Sequence, residues 1–275
     1  MAFFTTSDGA DIFYEDAGSG TPVLFIHGWA VTHEFFRYQQ ALLKENYRVI
    51  APDLRGHGKS DRRQEVTEYN MTISRLAQDI HELVEALQLR DLTVISWSMG
   101  VTVTYEYLRR FGCGNIRRLV LIDMSPKTVN AEDWTYGQAR NEVPAATLNW
   151  LNLCVTDWQQ AASVFGPLMF ENAQPADPEL LSWALARTSD NVPHIMTALV
   201  ISMSAQDYRD LLPKITCPVL LAHGENSVLY GTEHGEKIHS MLPASELAIL
   251  PGGHMLMMEY PDPFNRALLD FLSRT

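Results

Sequence analysis

The sequence predicts an α/β fold, and three observations carry that prediction. Short apolar runs, of the kind a parallel sheet buries on both faces, alternate with segments of helical periodicity from the start of the chain onward. A length of 275 residues exceeds the common domain size and suits one large α/β domain, or a core with an insertion. A hydrophobic content of 46 % with 20 % charged residues supplies the apolar surface for a sizeable buried core.

The elements follow in order. An edge hairpin opens the chain, FFTT then ADIFYEDAG, with its turn at Asp8-Gly9. Strands are predicted at residues 22–27 (PVLFIH), 47–52 (YRVIAP), 92–97 (LTVISW), 116–123 (IRRLVLID), 217–223 (CPVLLAH) and 245–250 (SELAIL). The clearest helix covers 73–89, where Leu76, Ile80, Leu83, Val84 and Leu87 recur at helical spacing and Thr72 or Ser74 is placed to cap the start. A second runs from Met99 to about Phe111, and a last one covers 263–272.

Between Asp123 and Cys217 lie roughly ninety residues without a strand run, too long for a loop. Pro144, Pro167, Pro175, Pro178 and Pro193 divide the segment into short helices. It also carries Trp134, Trp150, Trp158 and Trp183, four of the six tryptophans, read first as the segment's own packing core. The expected organisation is a core of residues 1–123 and 214–275 with a helical cap, 124–213, inserted over the end of the sheet.

Charge and cysteine usage narrow the function classes. With 21 Lys plus Arg against 33 Asp plus Glu, the net charge of −12 disfavours nucleic acid and anionic membranes as partners and leaves a small molecule. Three widely spaced cysteines, Cys113, Cys154 and Cys217, form neither a disulfide framework nor a metal clamp, which fits a reducing compartment. The opening residues hold no basic segment and no long apolar run, so a cytoplasmic location is expected. Metal-ligand spacing and phosphate-binding glycine loops are absent, and no cofactor is expected.

Three motifs carry chemistry. In LTVISWSMGVTVTYEYL, Ser98 stands between an apolar strand and a helix with Ser96 and Gly100 two residues to either side, close to the Gly-x-Ser-x-Gly nucleophile elbow. Small flanking residues let strand and helix approach, and the helix start directs free N–H groups at the site. In FIHGWAVTHEFF, Gly28 permits a sharp turn, so the N–H groups of Trp29 and Met99 together form a candidate oxyanion hole. His27 reads as a turn-stabilising residue. The third motif is His254 in LAILPGGHMLMMEYPDPF, a loop histidine suited to act as general base. Scattered surface roles are expected for His33, His57, His81, His194, His223, His234 and His239.

With these motifs the chain resembles the α/β-hydrolase-fold proteins over essentially its full length: His27-Gly28-Trp29, DLRGHGKSD at 53–61, the elbow at Ser98 and the Gly-Gly-His ending at His254. The 53–61 stretch is read as structural. The resemblance implies a mostly parallel sheet flanked by helices, with the cap after the strand that follows the elbow helix. It also implies an acid after the strand that follows the cap, in a Gly-Glu-x-Asp pattern, but here Ser227 stands where that Asp is expected. Glu225 is one replacement. Asp123 is the better candidate, because it ends a strand whose neighbours in the family's order carry the nucleophile and the customary acid.

The implied activity is hydrolysis of a carboxylic ester or lactone of a small, largely apolar substrate, with Ser98 as nucleophile, His254 as base, Asp123 orienting it, and Trp29, Trp97 and the cap lining the pocket. Two alternatives share the scaffold: a cofactor-free dioxygenase cleaving a 3-hydroxy-4-quinolone ring, and a perhydrolase or haloperoxidase. A third is a non-catalytic receptor.

Overall fold

The computed structural model describes residues 2–62, 70–138 and 144–274. Eight strands form one sheet: β1 Ala2–Thr5, β2 Asp11–Ala17, β3 Pro22–Ile26, β4 Arg48–Pro52, β5 Leu92–Trp97, β6 Ile116–Ile122, β7 Val219–Gly224 and β8 Ser245–Leu250. Their order is β1-β2-β4-β3-β5-β6-β7-β8. β2 pairs antiparallel with β1 and β4, and the remaining neighbours are parallel. Strands β5 and β7 are buried at every position, which is why they read as unbroken apolar runs instead of alternating ones.

The helices are α1 Arg37–Leu43, α2 Ile73–Ala86, α3 Met99–Phe111, α4 Pro144–Thr156, α5 Trp158–Leu168, α6 Pro178–Ser189, α7 Pro193–Ser204, α8 Thr232–His239, α9 Leu256–Glu259 and α10 Pro261–Ser273. Thr72 caps α2, accepting the Arg75 N–H, but the helix stops short of residue 89 because Gln88 turns left-handed at φ 52°. Likewise β6 ends at Ile122, because Asp123 leaves the strand at φ 48°. The last helix starts two residues earlier than its apolar pattern, with Pro261 in its first turn.

Helices α4–α7 fill the segment between β6 and β7, where the described residues hold no strand beyond a single bridge between Ala131 and Trp134. Pro144, Pro178 and Pro193 open helices, where the missing N–H costs nothing. Pro167 differs from the expectation: it lies in the last turn of α5. Asp157 and Asp177 cap α5 and α6. One apolar core runs from the sheet (Leu24, Phe25, Ile95) into the insertion (Ala161, Ile195, Leu199), each fully buried Leu, Ile or Phe side chain contributing about 1.5–3 kcal/mol. No helix among the described residues is long and apolar enough to cross a membrane.

Candidate active site

Ser98 sits at the junction of β5 and α3 with φ 54° and ψ −125°, a conformation costing a non-glycine residue about 1–3 kcal/mol. Neighbouring backbone holds it: the Ser98 N–H donates to the Ile122 carbonyl at 3.0 Å and its own carbonyl accepts from Val101 at 2.8 Å. Gly100 is sterically required at this turn, and Gly28 of the facing loop packs closely against it. A Cβ on Gly100 would stand 2.1 Å from the Ile26 carbonyl oxygen, and one on Gly28 would stand 3.1 Å from the Ser98 Cβ.

His254 connects Ser98 to Asp123. Its Nε2 lies 2.9 Å from the Ser98 Oγ and its Nδ1 lies 2.6 Å from an Asp123 carboxylate oxygen. Asp123 is fully buried and His254 nearly so. Burial favours the neutral carboxylic acid, but hydrogen bonding and charge from His223 and His254 prevail and hold the Asp123 pKa below its ordinary value. The ionised carboxylate accepts the Nδ1 proton, which leaves Nε2 free to accept from the Ser98 hydroxyl.

Asp123 has further partners. The Gly224 N–H donates to Oδ1 at 3.2 Å, and the Ser227 hydroxyl donates to Oδ2 at 2.8 Å. The serine that stands where an acid was expected thus supports the acid on the neighbouring strand. Glu225, the alternative, is exposed, and no hydrogen bond or ion pair joins it to His254 among the described residues.

Several supporting residues escape a reading of motifs. The Trp97 indole donates to the His254 carbonyl at 2.7 Å. Glu259 accepts the N–H groups of Gly253 and Glu171 at 2.8 and 3.0 Å, and the Met255 N–H donates to Met169 at 2.9 Å, so the histidine loop is clasped to the insertion. Trp97 is therefore a buried brace and does not line the cavity, contrary to expectation. The only local signal for it was its place beside the elbow.

The His27-Gly28-Trp29 turn is fixed from below. His27 Nδ1 donates to the Gly28 carbonyl at 2.8 Å and Nε2 accepts from Leu54 at 2.9 Å. His57 accepts the Ala30 N–H at 3.1 Å, and Asn191 of the insertion donates to the Ala30 carbonyl at 2.9 Å. In the 53–61 stretch, buried Asp53 accepts from His33 and Lys59 and buried Arg55 pairs with Asp79 and Asp8. His33, His57, His223 and His234 are buried, which corrects the surface roles expected for them; His194 and His239 are exposed. Among the described residues neither the Trp29 nor the Met99 backbone N–H donates a hydrogen bond, so both donors are available.

A cavity of about 400 Å³ opens onto Ser98 and His254. Its walls are mainly apolar: Trp29, Trp150, Leu153, Phe165 and Leu168 among them. Trp29 anchors the wall, its ring edge-on to Trp158 and Phe165 at 5.5 and 5.0 Å and its indole donating to Met196. Of the four insertion tryptophans, only Trp150 faces the cavity; Trp183 packs against Phe35, and Trp134 and Trp158 are buried elsewhere. No Asp, Glu, Lys or Arg lines it among the described residues.

The chain is similar to known proteins over its whole length. A non-heme chloroperoxidase from Kitasatospora aureofaciens is 30 % identical, covering 100 % of both chains. A bifunctional esterase/perhydrolase from Acinetobacter calcoaceticus is 28 % identical over 99 % of both. The solved structure of an esterase from Exiguobacterium antarcticum superposes with a TM-score of 0.88 at 30 % identity, covering 98 % of each chain. The profile of the alpha/beta hydrolase family matches residues 23–267, and the chain belongs to that family.

Proposed function

We propose that the protein is a serine hydrolase cleaving a carboxylic ester or lactone of a small, largely apolar substrate through an acyl-enzyme. The observation that carries this reading is the unbroken hydrogen-bonded chain from Ser98 through His254 to Asp123, opening onto a cavity whose described lining residues include no Asp, Glu, Lys or Arg. His254 Nε2 takes the Ser98 proton as Oγ attacks the carbonyl carbon. The developing oxyanion is received by the N–H groups of Trp29 and Met99, and Asp123 stabilises the imidazolium. His254 returns the proton to the leaving alcohol, and water, activated by the same imidazole, then releases the acid. Residues 124–213 act as a cap over the core of 1–123 and 214–275, excluding bulk water and supplying the apolar wall.

The esterase from Exiguobacterium antarcticum supports ester chemistry on this scaffold. The chloroperoxidase and esterase/perhydrolase relatives favour one second reading, in which hydrogen peroxide replaces water at the acyl-enzyme and releases a peracid. The dioxygenase alternative gains no support from the cavity, where His254 is the lone histidine among the described lining residues.

Pure protein is expected to hydrolyse p-nitrophenyl acetate or butyrate and to take a fluorophosphonate label. Ser98→Ala is expected to lose the label and to lower turnover on the order of 10⁶-fold. A Ser98→Ala protein that keeps either property contradicts the nucleophile assignment, and an unlabelled, inactive wild type favours a receptor.

A further inference from the structure

Tyr230 stands in the loop after β7, 2 % exposed, with its ring 5.8 Å from the His254 ring and 5.7 Å from that of His234. It lines the same cavity as Ser98. Its N–H is bound to the Ser227 Oγ at 3.3 Å, which fixes the residue to the hydroxyl that supports Asp123. The phenol hydroxyl, however, has no hydrogen-bond partner among the described residues. Unlike the Tyr105 hydroxyl, which is sealed in the core without a partner, it belongs to a side chain that lines the cavity.

A ligand that fills the cavity displaces water from this donor, so one that supplies an acceptor there is favoured over an isostere that does not. The other polar lining groups outside the triad differ in kind: Asn149 is exposed and Ser204 is half-buried, so water satisfies them at the rim. Gln138 has a partner of its own. Burial, reinforced by the negative Asp123, keeps the phenol protonated and therefore a donor.

Resting on the esterase reading, we propose that Tyr230 is a specificity-determining residue, donating to a second acceptor oxygen adjacent to the ester group of a neutral substrate. The class selected is oxygenated esters and lactones, alkoxy- or oxo-substituted on the carbon chain next to the ester. No Asp, Glu, Lys or Arg is among the described lining residues, which favours a neutral group over a carboxylate or ammonium as the recognised one.

Two isosteric pairs test this in wild type and Tyr230→Phe. p-Nitrophenyl methoxyacetate against butyrate places the extra oxygen on the acyl side, and 2-methoxyethyl acetate against butyl acetate places it on the alcohol side. Comparing ratios of kcat/KM between the two proteins cancels the intrinsic reactivity of each ester. The expected result is a fall in the oxygenated-to-hydrocarbon ratio of about tenfold in one pair, which also identifies the side. An unchanged ratio in both pairs overturns the proposal, even where both rates fall together. Calorimetric binding of the same esters to Ser98→Ala and to Ser98→Ala with Tyr230→Phe reads the same discrimination without turnover. A wild type that hydrolyses none of the four esters thus defeats the esterase reading, while the Tyr230 proposal still stands or falls on binding.

Discussion

Buried histidines govern how the protein responds to acid. Burial pushes the His27 pKa down from 6.5 to about 4 and the His57 pKa down from 6.5 to about 3. Both imidazoles use both nitrogens in hydrogen bonds that require the neutral form. The unfolded chain protonates them near 6.5 and the folded chain does not, so the stability present above that value is lost as the pH falls from 6.5 towards 4. His33 works the other way: burial opposes its charge, but Asp53 prevails and raises its pKa, so its contribution is present below 6.5 and lost as the pH rises. Two depressed histidines oppose one raised one, so the net effect of acidification is a loss of stability. Thermal unfolding is expected to show a melting temperature that falls between pH 6.5 and 4, with proton uptake on unfolding at pH 5; a flat profile contradicts the neutral network. Ser98 and His254 were legible because each lies in a short motif whose neighbours declare its surroundings. The burial of His33, His57, His223 and His234 was not, since it depends on how distant loops cover them.

The turn at Ser98 has two unlike sides. Gly100 faces backbone oxygens of Ile26 and His27 at 2.1 and 2.7 Å from any added Cβ, and backbone cannot step aside as a flexible side chain does. Ser96 on the other side is fully buried, but its hydroxyl has no partner. Gly100→Ala is therefore expected to cost about 3 kcal/mol and lower the melting temperature by several degrees, whereas Ser96→Ala, which removes an unpaired buried hydroxyl, holds or raises it. Equal losses from the two variants contradict this asymmetry. The central strands were the most legible elements, because burial on both faces makes them largely apolar runs. Helix ends were less so: left-handed Gln88 and Asp123 depend on backbone conformation that neither residue type announces. The short α1 and the turn-like α9 carry too few apolar positions to register a period.

The sheet order brings β5, β6, β7 and β8 side by side, so loops far apart in the chain converge at one edge. Ser98 and His254 are separated by 156 residues and His254 and Asp123 by 131, yet one imidazole reaches both. Asp123 was legible only through the resemblance: the missing acid at Ser227 pointed to the neighbouring strand end. That Ser227 would turn its hydroxyl onto Asp123, that Glu259 would clasp the histidine loop to the insertion, and that Tyr230 would line the cavity all follow from loop conformations. Such conformations leave no periodic trace in the sequence. The net charge of −12 describes the surface and not the cavity, whose described lining residues carry no Asp, Glu, Lys or Arg. The most direct test of the triad compares Asp123→Asn with Glu225→Gln in ester turnover. Loss of the orienting carboxylate lowers kcat by as much as ~10⁴, so Asp123→Asn is expected to approach that loss while Glu225→Gln stays within a few-fold of wild type. An Asp123→Asn enzyme that keeps its turnover, with Glu225→Gln inactive, would contradict the assignment of Asp123.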